Sequence, residues 1–108
     1  MSRMTTKNQF RKEMISSTGL TLVQFKKEYN GACQIVSSIY QDLARIYKEQ
    51  AVFLVVDIEK QPAIAEQYGI AEIPTILFFR AGEIVDYVAG LAPKNVMIAK
   101  IENALSAI

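Results

Sequence analysis

The chemistry open to this chain centres on "EYNGACQIV", Glu28 to Val36, where the only cysteine, Cys33, follows Asn30 by three positions. A lone sulfur can form a mixed disulfide or pass through sulfenic acid, but only an external thiol returns it to the free state. Placed at a helix N-terminus, Cys33 would gain thiolate character; buried, it would lose it and act as a small apolar side chain. An unperturbed thiol is only a few per cent ionised at pH 7. With no histidine in the chain, Cys-His dyads and His-based metal sites are excluded, and one cysteine excludes an intramolecular disulfide. Glu28, Asp57, Glu59 and Glu72 fall in separate elements without ligand spacing. They read as solvated carboxylates, with Asp57 capping a strand end, so no metal and no cofactor is expected.

Asn30 has a different use. Asparagine is among the best N-cap residues, and its side-chain oxygen is expected to accept the backbone N–H of Ala32 or Cys33, contributing about 1 kcal/mol.

These residues need a strand and a helix to hold them. "LTLVQF", Leu20 to Phe25, has the short branched and aromatic character of a strand. From Cys33 to about Gln50, Ile35, Val36, Ile39, Tyr40, Leu43, Ile46 and Tyr47 recur at helical spacing and make one apolar stripe. "AVFLVVDI", Ala51 to Ile58, is apolar without alternation until Asp57, which suits a strand covered on both faces with a parallel neighbour.

The flanking elements complete the order. Thr6 and Gln9 have the form of a capping box for a helix starting near Lys7, with Phe10, Met14 and Ile15 on one side and a stop at Gly19. Pro62 starts a short helix through Tyr68, ended by Gly69. "PTILFF" and "EIVDYV" flank the turn "RAGE", in which Gly82 can take positive φ. After Gly90 and Pro93, a last helix places Met97, Ile98, Ile101, Leu105 and Ile108 on one face. The alternation indicates an α/β chain with parallel strands first and an antiparallel hairpin last. Residues 1–108 form a single domain, with no apolar patch expected beyond what the core needs.

Composition narrows the partners. A 51% hydrophobic content, 21% charge and a net charge of +1 describe a folded chain with no electrostatic call on nucleic acid or an anionic membrane. The pairs Arg11-Lys12 and Lys26-Lys27 are solvated faces. The N-terminus lacks an apolar segment of signal-peptide length and no run approaches a membrane span, so the expected address is the cytoplasm.

Across nearly its whole length the sequence resembles the thioredoxin family. The strand–loop–helix "LVQFKKEYNGACQIV" is similar to the family's strand leading into Trp-Cys-Gly-Pro-Cys. "KQPAIAEQYGIAEIPTILFFRAGEIV" and "YVAGLAPKNV" follow with the family's order and spacing. The resemblance implies a thioredoxin fold: a central mixed sheet of four strands, five if Met1 to Met4 contribute one, flanked by four helices. It implies a cis peptide at Ile73-Pro74 beside the loop, since only an X-Pro bond takes that form cheaply. It also implies that family members hold an extended peptide here, so that Tyr29, Asn30, Gly31, Ala32, Ile73, Pro74, Gly90 and Leu91 are the candidate binding residues. Cys33 corresponds to the family's shielded resolving cysteine and is the candidate catalytic monothiol.

The departures matter as much. Asn30 stands where the family has its nucleophilic cysteine, Ala32 for the motif's proline and Tyr29 for its tryptophan. Gln24 and Val55 replace a buried aspartate and a lysine that handle protons. An amide neither attacks sulfur nor oxidises reversibly, so the family's two-sulfur cycle is not expected. Three functions remain: a redox-inactive module binding a protein or peptide beside Ile73-Pro74, a monothiol oxidoreductase or redox sensor working through Cys33 with glutathione or an external thiol, and a self-associating structural domain.

Overall fold

The computed structural model describes residues 3–4 and 19–106. In chain order the elements are β1 (Arg3–Met4), β2 (Leu20–Lys26), α1 (Gly31–Ile46), β3 (Ala51–Asp57), α2 (Pro62–Gln67), β4 (Thr75–Arg80), β5 (Glu83–Ala89) and α3 (Lys94–Ser106). They build one five-stranded sheet in the order β1-β3-β2-β4-β5. β1, β3 and β2 run parallel, while β4 and β5 are antiparallel additions. The strand left open at the N-terminus is therefore present, with Arg3 opposite Leu54 and Met4 opposite Val55. The helix expected from near Lys7 to Gly19 and the position of Ile108 lie outside the described residues.

The apolar runs are divided by the pleat, successive side chains pointing to opposite faces. Leu22, Phe53, Val55, Ile76 and Phe78 meet Val36, Tyr40 and Leu43 of α1 and Met97 and Ile101 of α3 on one side. Val23, Phe25, Leu54, Val56, Leu77 and Phe79 gather with Ile64 of α2 on the other. Each fully buried side chain of this size contributes about 1.5–3 kcal/mol, which is why β3 can stay apolar on both faces from Ala51 until Asp57. Within this core the Tyr40 hydroxyl lies 3.0 Å from the Leu22 carbonyl and 2.8 Å from that of Leu54. Burial pushes its pKa well above the ordinary value, so the phenol stays neutral and pins α1 to two adjacent strands.

Three boundaries differ from the sequence reading. α1 stops at Ile46, not Gln50, because Tyr47 leaves helical geometry at φ −104° and ψ 19°. The N–H groups of Gln50 and Ala51 both donate to the Tyr47 carbonyl and steer the chain into β3. α2 stops at Gln67, with Tyr68 as its cap and Gly69 at φ 62°. At the hairpin, Arg80 pairs with Glu83 across Ala81 at φ 52° and Gly82 at φ 80°. Such a two-residue turn requires positive φ at both positions, and nothing in alanine announces it.

β5 is an edge strand that leaves several apolar side chains exposed. Ile84, Val85 and Tyr87 are 48%, 50% and 60% exposed. The register shifts between Phe78 and Phe79, so that Phe78 faces Asp86 and Phe79 faces Ile84, leaving Val85 as the extra residue of a bulge. Bulges of this kind spoil an edge for indiscriminate pairing.

Candidate functional site

Strand register brings three separate segments to one end of the sheet. Phe25 near the end of β2 lies opposite Thr75 at the start of β4, and Thr75 in turn lies opposite Ala89 at the end of β5. The loop after β2, the Ile73-Pro74 segment and Gly90-Leu91 therefore leave from the same end. The Ile73-Pro74 bond is cis. Gly90 N–H donates to the Pro74 carbonyl at 2.7 Å, fixing two of the three segments to each other.

The loop is closed by its own asparagine. Asn30 is the N-cap of α1, with extended φ −99° and ψ 121°, and its Oδ1 accepts from the Cys33 N–H at 2.9 Å. Its carbonyl accepts the first helical bond from Gln34 at 3.0 Å. One orphan donor of the helix terminus is thus satisfied by a side chain. Ala32 is half-buried and Gly31 exposed. A Cβ added at Gly31 would meet nothing within 4 Å, so the space above the first turn is open.

Tyr29 precedes this cap at φ 61° and is 92% exposed. A bulky residue in the left-handed region is a genuine outlier that costs on the order of 1 kcal/mol. The sequence carries no sign of it. The sulfur one turn further on is the opposite case: Cys33 is only 2% exposed and forms no disulfide.

Below the loop, Gln24 and Val55 are side-by-side register partners in β2 and β3. Neither titrates. Gln24 is buried, its Nε2 donates to Ser37 Oγ at 2.9 Å, and its Oε1 has no partner. The bond to Ser37 was not legible in the sequence, although serine one turn after Cys33 is spaced to reach β2.

Two concavities flank this end. One of about 510 Å³ is walled by Lys26, Tyr29, Cys33, Gln34, Ser37 and Gln41. The other, of about 270 Å³, includes Tyr68, Ile70, Glu72, Leu77, Tyr87 and Ala89. Ile73, Pro74, Gly90 and Leu91 line neither. Leu91 is exposed, Ile73 half-buried and Pro74 buried, and Ile73 has no backbone hydrogen-bond partner among the described residues. No group of three or more metal-ligating side chains occurs among the described residues, and no helix among them is long and apolar enough to cross a membrane.

Comparison with known proteins fits this geometry. The family model named Thioredoxin matches residues 1–103. The chain belongs to the thioredoxin family. It is 34% identical over 97 residues to a thioredoxin of Chlorobaculum thiosulfatiphilum, covering 90% of each chain. Thioredoxin 1 of Synechococcus elongatus is 32% identical over 96 residues, 89% of this chain and 90% of its own. A thioredoxin of Rickettsia felis is 32% identical over 105 residues, 97% of this chain and all of its own. This thioredoxin-family domain has a single cysteine, capped by an asparagine and shielded from solvent.

Proposed function

We propose that this domain binds an extended polypeptide across the end of the sheet and does not run a dithiol reduction cycle. The observation that carries the proposal is the amide at position 30: Asn30 Oδ1 is engaged with the Cys33 N–H at 2.9 Å, a capping role that leaves one sulfur in the chain. Reduction by thiol exchange needs one sulfur to attack and a second to release the mixed disulfide. The first is missing.

Binding needs no sulfur. The free backbone N–H and carbonyl of Ile73, next to the cis Pro74, offer the hydrogen bonds with which an extended chain adds as a strand. Tyr29 and Leu91, 92% and 59% exposed, supply apolar contact on either side. Asn30, Gly31 and Ala32 complete the surface, with open space over Gly31. The test is a pull-down from a lysate of the source cell followed by titration of the recovered partner. Saturable binding unchanged by reductant and by Cys33→Ser supports the proposal; loss of binding in that variant overturns it.

A second reading is favoured by one observation, that Cys33 forms part of the wall of the 510 Å³ cavity. Through that opening its thiolate attacks a disulfide such as that of oxidised glutathione. One S–S bond breaks, a Cys33–glutathione bond forms and one glutathione thiolate leaves; a second external thiol then restores Cys33. Intact-mass measurement after incubation with oxidised glutathione separates the readings, since an unmodified chain removes this one. The cytoplasm is the compartment in which such a lone thiol stays reduced, and it is the proposed location.

A further inference from the structure

We infer that Glu72 selects a basic side chain on the bound polypeptide, so that the partner segment is extended and carries a Lys or Arg two positions from an apolar residue. The inference rests on the polypeptide-binding reading above and adds the chemistry of the ligand. Glu72 immediately precedes Ile73, the residue whose backbone is free to pair. Its carboxylate lies over Gly90: a Cβ built there would come within 2.5 Å of Glu72 Oε2. Gly90 is at φ 76°, so a side chain there would be strained and would meet the Glu72 carboxylate. Glu72 is exposed, and its carboxylate forms no ion pair among the described residues.

The same residue lines the 270 Å³ groove together with Tyr68, Ile70, Leu77, Tyr87 and Ala89. Tyr87 is 60% exposed here. An extended chain pairing with Ile73 alternates its side chains between two faces at successive positions. One position then reaches the Glu72 carboxylate, and a neighbour on the same face fills the Tyr87 groove. A carboxylate free of counter-charge at the lip of an apolar groove repels acidic segments and pairs with basic ones, a discrimination that sets specificity more than affinity.

The test pans a random ten-residue peptide library on the immobilised full-length chain and measures the enriched peptides by fluorescence anisotropy. Expected are peptides with Lys or Arg enriched at one position and an apolar residue two positions away, on the same face. Their affinity should fall about fivefold in Glu72→Gln, the size of a partly exposed charge pair, and the loss should shrink with added salt. Glu72→Lys should turn the preference towards Asp or Glu. Enriched peptides without a basic preference, or an affinity indifferent to both variants, overturn the role of Glu72 and leave the peptide surface standing. Failure of the wild-type chain to enrich any peptide overturns both.

Discussion

Asn30 Oδ1 and the backbone N–H of Cys33 are 2.9 Å apart, and that bond ties the N-terminus of α1 to the residue before it. Removing it strands a helix N–H. Asn30→Ala is expected to lower stability by about 1 kcal/mol in urea melts. A melt indistinguishable from wild type would mean that the amide does no capping.

Tyr29 is held at φ 61° and is almost wholly exposed, so it adds strain without adding to the core. Glycine adopts that conformation freely. Tyr29→Gly is expected to raise stability by about 0.5–1 kcal/mol while weakening the bound polypeptide. Opposite signs in a denaturant melt and a binding titration are what a recognition residue gives; a loss in both would mark Tyr29 as structural.

The Asn30 side chain points at the turn that carries Cys33, three residues on. Asn30→Cys is therefore expected to oxidise in air to a 30–33 disulfide, since that spacing brings side chains within reach of an S–S bond. Thiol titration should fall to zero per chain after oxidation. Reduction of protein disulfides should return only in part, because Gln24 and Val55 still offer no proton below the loop. Turnover equal to a dithiol thioredoxin would show those two positions to matter little.

At the far end of α1, the Tyr47 hydroxyl donates to Glu102 Oε2 at 2.6 Å. That carboxylate, with burial behind it, pushes the phenol up to about 12. Since an unfolded tyrosine ionises near 10, the folded state keeps its proton longer, and the bond's stabilisation is present below pH 10 and lost towards pH 12. Tyr47→Phe is expected to cost about 1 kcal/mol at pH 8, kept small by the exposure of Glu102. The gap between variant and wild type should narrow in melts at pH 11. A constant gap would place the cost in packing.

Much of this architecture was legible because local signals agreed with one another. The unbroken run from Ala51 and the Asn30 cap each pointed to an observed feature, a strand covered on both faces and the start of α1, while the cis bond at Ile73-Pro74 was implied only by the family resemblance. What stayed hidden was decided by tertiary context. The helical stripe included Ile35 and Ile46, yet both are more than half exposed, because only the side bearing Val36, Tyr40 and Leu43 meets the sheet. The two residues of β1 are too few to show a period and exist as a strand only through Leu54 and Val55. Positive φ at Tyr29 and Ala81 has no composition signal, since neither residue favours it. Glu72, read as a solvated carboxylate, is exposed as expected, but its place across Gly90 is set only by the fold.

The claim that one sulfur cannot complete the reduction cycle is tested most directly by the rate of insulin disulfide reduction with dithiothreitol as electron source. The purified wild-type chain is expected to leave that rate at the value for dithiothreitol alone, at any concentration of chain. Many turnovers per molecule, abolished by Cys33→Ser, would contradict it.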